Sequence, residues 1–136
     1  MARRFFALLI HDRSVPFESL KTALKDLNVG ISSVNSLEAA KRLIPQTEPD
    51  LIFTDTKLPD GSWPDVINMA EKCRTSSNVI VVSPYKDIKL YLSALDRGAY
   101  DFLLPPFEHN TLDFVVACAG EDARHRRTAK ARTAVD

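Results

Sequence analysis

Two carboxylates and a hydroxyl stand in this chain where chemistry can be done. Asp12 comes after the apolar run Phe5 to Ile10 and His11, Asp55 ends the run Leu51-Ile52-Phe53-Thr54, and Ser83 ends Asn78-Val79-Ile80-Val81-Val82. Each run reads as a buried strand, so each polar residue sits at a strand's carboxyl end. In an open α/β sheet those ends line the crevice where ligands bind. Asp12 and Asp55 brought together repel unless a cation separates them. A hard divalent ion such as Mg²⁺, with oxygen ligands and retained waters, suits such a pair. A carboxylate beside that ion can attack phosphorus and become an aspartyl phosphate. The Ser83 hydroxyl could then hydrogen-bond a phosphoryl oxygen. Taken alone, Asp55 has a simpler role, capping the turn Leu58-Pro59-Asp60-Gly61 that follows it.

The elements that must position these residues alternate along the chain. After the first strand, Ser14 and Pro16 open a helix with Phe17, Leu20, Leu24 and Leu27 on one face. Ile31 to Val34 is a weakly patterned second strand, expected near a sheet edge, and Ser36 caps a helix carrying Leu37, Ala40 and Leu43 or Ile44. Gln46 to Pro49 reads as a loop into the central strand. Ser62 and Pro64 start a third helix with Val66, Met69, Ala70 and Cys73 inward. A fourth runs from about Lys86 to Arg97, with Ile88, Tyr91, Leu92 and Leu95 at helical spacing and Gly98 as its cap. Tyr100 to Leu104 is the fifth strand, ended by Pro105-Pro106-Phe107, and the last helix starts near Asn110 with Leu112, Val115, Val116 and Ala119 inward. Five such alternations predict a parallel sheet with right-handed crossovers and helices on both faces.

With 136 residues, 45% hydrophobic and 26% charged, the chain suits one globular domain. Its formal net charge of zero gives no overall pull towards nucleic acid or membrane. Cys73 and Cys118 lack metal-ligand or redox spacing and read as reduced packing residues of a cytoplasmic protein. No signal peptide or membrane-length apolar run is visible. From Glu121 the apolar stripe stops and Arg124, His125, Arg126, Arg127, Lys130 and Arg132 appear, so 1–120 is expected to be the folded domain and 121–136 a basic tail or linker. A weak nucleic-acid contact by that tail is the other use of its charge.

The segment D-L-I-F-T-D-T-K-L-P-D-G (Asp50 to Gly61) resembles the phospho-acceptor strand and loop of two-component response regulator receiver domains. R-G-A-Y-D-F-L-L-P-P-F (Arg97 to Phe107) resembles their fifth-strand signature. The resemblance covers about residues 5 to 120. It implies the flavodoxin-like strand order 2-1-3-4-5 with five flanking helices. By the same resemblance Asp55 is the phosphoacceptor. Mg²⁺ is held by Asp12, Asp55 and the backbone carbonyl of Lys57. Ser83 is the phosphoryl contact and switch, and Phe102 the switch aromatic. Two positions depart from the pattern. His11 replaces the first acid of the pair, which should weaken Mg²⁺ because imidazole suits softer metals, although His11 could still contact the ion or simply fill the strand end. Pro105 replaces the lysine that pairs with the phosphoryl group. Lys57 is a possible substitute cation, and Tyr85 could line the same mouth. Pro105-Pro106 is a candidate cis bond.

The resemblance implies a cytoplasmic signalling module, phosphorylated by a sensor histidine kinase and reporting through helix 4, strand 5 and helix 5 to an output domain, a protein partner or a second copy. Tyr91, Phe114 and Cys118 are candidate exposed positions for dimerisation. The departures support a second reading, a phosphorylation-independent pseudo-receiver that acts as an interaction module. Catalysis on an external substrate is not expected. A phosphatase using a strand-end aspartate would want a second acid where Lys57 stands, and a dinucleotide site would want a glycine-rich first turn. The folded part offers no basic recognition helix for DNA.

Overall fold

The computed structural model describes residues 4–12 and 15–135, with side chains through Arg132. Five strands, β1 (Phe6–Ile10), β2 (Gly30–Val34), β3 (Leu51–Asp55), β4 (Asn78–Val82) and β5 (Asp101–Leu103), pair in parallel in the order β2-β1-β3-β4-β5. Helices α1 (Val15–Asp26), α2 (Leu37–Thr47), α3 (Trp63–Cys73), α4 (Ile88–Asp96) and α5 (His109–Val135) cover the sheet. A two-residue antiparallel ribbon, Lys57–Leu58 against Gly61–Ser62, shapes the loop after β3. This is the flavodoxin-like order that the motifs implied.

Side-chain alternation splits the interior into two cores. Ala7, Leu9, Leu51, Phe53, Ile80 and Val82 face α1 and α5, meeting Phe17, Leu20, Leu24, Leu112 and Val116. Leu8, Ile10, Ile52, Val79, Val81 and Phe102 face the other way, meeting Ala40, Ile44, Val66, Ile67 and Ala94. Ser36 caps α2 by accepting the Ala39 N–H at 3.1 Å. At α3 the Asp65 carboxylate accepts the Ser62 N–H at 3.0 Å. Ser14, expected to open α1, lies outside the described residues.

The structure corrects two expectations and assigns one helix face that the spacing had left open. First, α2 runs on to Thr47 with Pro45 inside it, where a loop was expected from Gln46. Second, the apolar stripe of α4 faces outward. Ile88 and Leu92 are 63% and 59% exposed, and only Ala94 is fully covered, with Leu90 packed beside it. Periodicity shows that a helix has an apolar face, not what covers it. Third, the last helix does not fray at residue 120 but continues unbroken to Val135. The basic residues after Glu121 hold it down without an apolar stripe. Asp50, 3% exposed, accepts the Phe6 N–H at 2.9 Å. Arg124 reaches both Asp50 oxygens at 3.1 Å each and lies 4.5 Å over the Phe5 ring. Arg127 bonds the carbonyls of Thr75 and Pro49 and contacts Asp50 at 3.3 Å. Gly120 permits this approach, because a Cβ there would stand 2.5 Å from the Phe5 ring.

Asp50→Ala removes the acceptor shared by two arginines and a backbone N–H. It should lower unfolding free energy by about 2–3 kcal/mol in urea titration. Arg132→Ala, at an exposed position of the same helix, should change it by less than about 0.5 kcal/mol.

Candidate functional site at the carboxyl edge of the sheet

Register brings the chemistry-bearing residues to one edge. Ile10 pairs with Thr54, so the next positions, His11 and Asp55, are neighbours, with Asp12 one residue on. Asp55 pairs with Val82 and Val82 with Leu103, so Ser83 and the Leu104-Pro105 segment end the row. Asp55 is 9% exposed, and its carboxylate accepts the Thr56 N–H at 2.8 Å. Asp12 is exposed in the bend after β1.

His11 turns to α1. Its ring stacks on Phe17 at 4.5 Å between centroids, 12° from parallel, and neither ring nitrogen has a hydrogen-bond partner among the described residues. Burial lowers its pKa from 6.5, and the nearby Lys21 ammonium adds to this, against the opposing pull of Glu18 and Asp12. To bind a metal it would have to leave this stack. Among the described residues no three His, Cys, Asp or Glu side chains gather to hold a metal ion. The donors present at the edge are two carboxylates, and the Lys57 carbonyl stands two residues past Asp55. An all-oxygen set with open positions for water is chemically suited to Mg²⁺.

Ser83 is 4% exposed, and its hydroxyl donates to the Tyr85 carbonyl at 2.9 Å. Tyr85 itself is exposed. Phe102 is buried in the second core with its ring edge-on to Tyr91, 5.8 Å between centroids. Phe102 therefore touches α4 directly. Lys57 is exposed on the ribbon. The Pro105-Pro106 bond is cis, the candidate isomer.

Asp60 was read only as turn chemistry, yet its carboxylate accepts the N–H groups of Leu37 at 2.8 Å and Glu38 at 3.0 Å. Those two bonds hold its pKa below the usual carboxylate value. They tie the loop after β3 to the N-terminus of α2, where a negative charge is favoured. The Asp-Gly pair was visible in sequence, but its partner 22 to 23 positions earlier was not.

The comparisons with known proteins agree with this geometry. The family model for the response regulator receiver domain matches residues 7–117, and the chain belongs to that family. It is 29% identical over 113 residues to the response regulator protein PilR of Pseudomonas aeruginosa, covering 83% of this chain and 25% of PilR. It is 26% identical over 116 residues to the transcriptional regulatory protein HptR of Staphylococcus aureus, covering 82% of this chain and 45% of HptR. The chain thus spans less than half the length of these relatives. A signal receiver domain from Vibrio parahaemolyticus superposes with a TM-score of 0.78 at 28% identity, over 93% of this chain and 98% of that one. Receiver domains are signalling domains and generally bind Mg²⁺ at their acidic pocket. No described helix is long and apolar enough to cross a membrane.

The lowered pKa of His11 predicts an acid-sensitive fold. Above pH 6.5 the ring is neutral in both folded and unfolded chains. Below it the unfolded chain takes up a proton that the folded chain resists, so stability falls as pH drops towards the lower folded value. His11→Gln should therefore lose less Tm between pH 7.5 and pH 5 than the parent, whatever its Tm at pH 7.5. An equal or larger loss would contradict the burial argument.

Proposed function

We propose that this domain is a phosphoacceptor receiver, phosphorylated on Asp55 by a sensor histidine kinase. The observation that carries the reading is the strand-end row: Asp55, nearly buried, beside the end of β1 that bears Asp12. In the transfer, a carboxylate oxygen of Asp55 attacks phosphorus, forming an O–P bond as the bond from phosphorus to the kinase imidazole breaks. Asp12, Asp55 and the Lys57 carbonyl would hold Mg²⁺, which offsets the negative charge of both reactants. With proline at position 105, the Lys57 ammonium is the nearest cation in sequence to take the place of the family's lysine.

Ser83 and Phe102 form the switch in this reading. The new phosphoryl oxygens compete with the Tyr85 carbonyl for the Ser83 hydroxyl. Releasing Tyr85 loosens the loop before α4, and Phe102, packed on Tyr91, moves with it. The readout is the face carrying Ile88, Leu92 and Leu95 of α4, Tyr100 and Leu104 beside β5, and Phe114 of α5, all exposed apolar side chains. Such a patch suits a second copy, an output domain or another protein partner.

One observation favours the second reading, an interaction module that works without phosphorylation: two of the family's charges are gone, replaced by the Phe17-stacked His11 and by Pro105. Intact mass after incubation with acetyl phosphate and Mg²⁺ separates the two. The phosphoacceptor reading expects one phosphoryl adduct on the parent and none on Asp55→Asn. No adduct on the parent leaves the interaction module. In either case Ile88→Asp with Leu92→Asp should abolish self-association or partner binding in a pull-down. It should change stability by less than about 0.5 kcal/mol, because both side chains are exposed.

A further inference from the structure

The loop after Asp55 carries the Lys57 carbonyl, and several restraints set its shape. The Thr56 carbonyl accepts the Trp63 N–H at 3.2 Å, which closes the loop onto the start of α3. Lys57 pairs with Ser62 and Leu58 with Gly61 in the antiparallel ribbon. The Leu58 side chain is buried in the second core. The hydrogen bonds among these restraints stay within the loop and the helix that follows it. Asp60, at the tip of the ribbon, does something different. It reaches α2, 22 to 23 positions earlier, and accepts the Leu37 N–H at 2.8 Å through one oxygen and the Glu38 N–H at 3.0 Å through the other. Gly61 beside it lies so near α2 that a Cβ there would stand 3.1 Å from the Leu37 side chain.

The helix has a cap without Asp60. Ser36 stands at the N-cap of α2 and accepts the Ala39 N–H at 3.1 Å. The Asp60 bonds therefore act on the loop as well as on the helix, because they clamp the tip of the ribbon against α2. That matters for a ligand of the kind Lys57 offers. A backbone carbonyl carries no net charge, and a mobile loop must be ordered when it binds, which subtracts from affinity. Mg²⁺ also demands near-ideal octahedral geometry, so a displaced carbonyl loses most of its value.

We propose that Asp60 is a positioning residue for Mg²⁺ binding: its two bonds to α2 hold the ribbon so that the Lys57 carbonyl stands ready before the ion arrives. The inference rests on the phosphoacceptor reading, in which that carbonyl is a ligand. The coupling is reciprocal. If the tie to α2 favours the ion, the ion must favour the tie. The amides of Leu37 and Glu38, on a different element from the three ligands, therefore respond to Mg²⁺.

The test is a Mg²⁺ titration of the full chain and of its Asp60→Ala, Asp60→Asn and Ser36→Ala variants, followed by amide NMR shifts and hydrogen exchange, with Tm measured alongside. Asp60→Ala should weaken Mg²⁺ binding about tenfold, the low end of what groups supporting a metal ligand contribute. Asp60→Asn keeps one acceptor oxygen and should fall between that variant and the parent. Ser36→Ala removes the helix cap and leaves the loop alone, so it should lower Tm with Mg²⁺ affinity within about twofold of the parent. In the parent, Mg²⁺ should slow exchange at Leu37 and Glu38, and in Asp60→Ala that response should vanish. A parent that binds Mg²⁺ with Asp60→Ala binding it equally well would overturn the proposal. So would affinities that simply track Tm across the three variants, or exchange at Leu37 and Glu38 that Mg²⁺ leaves unchanged, because Asp60 would then be a helix cap only. A parent that binds no Mg²⁺ would refute the metal site of the phosphoacceptor reading itself, and this inference with it.

Discussion

The constraint on which the rest depends is the register of a parallel sheet buried on both faces. Each strand commits alternate residues to different cores: Leu9 and Phe53 to the side of α1 and α5, Leu8 and Ile52 to the side of α2 and α3. A one-residue slip would exchange those sets along the whole strand and drive the strand-end polar residues out of line. The same pairing that fills two cores therefore fixes Asp55 beside the end of β1 and Ser83 beside the end of β3. Packing and chemistry are specified together, and the site needs no separate scaffold.

The two ends of the sheet are held by different physics. At the carboxyl edge, residues are restrained by a few separate hydrogen bonds, Ser83 to Tyr85 and Asp60 to the first N–H groups of α2. Such bonds can be exchanged when a charge is added nearby, which suits a switch. At the amino edge, Asp50 gathers Arg124, Arg127 and the Phe6 N–H in one partly dry cluster. Removing Asp50 would take the shared acceptor from the Phe6 N–H and both arginines at once, so this end resists rearrangement. The long α5 starts near the switch and is clamped at the rigid end.

Between them, α4 is the least committed element. It is short and covers the sheet mainly through Ala94 and Leu90, while it presents Ile88 and Leu92 to solvent. The Tyr91–Phe102 contact adds one further link to the core. A helix with so little buried area can shift at low cost, consistent with its place in the proposed signalling path.

Much of this was legible in the sequence. Strand runs ending in Asp55 and Ser83, turn residues at Leu58 to Gly61, and the caps at Ser36 and Ser62 act over a few positions, so residue type and spacing determine them. Alternation of strand and helix then limits the topology to a parallel sheet, and the two quoted motifs point to the receiver order. Tertiary structure decided what depends on distant partners. It turned the stripe of α4 outward, because periodicity marks an apolar face without naming its neighbour. It laid His11 on Phe17 and bound Asp60 to α2. It also made a clamp of arginines that looked like a solvated tail, because their partner, Asp50, lies more than seventy residues away in the chain. Local chemistry is written in neighbouring residues, whereas the worth of a charge or an apolar face is set by what folding brings against it.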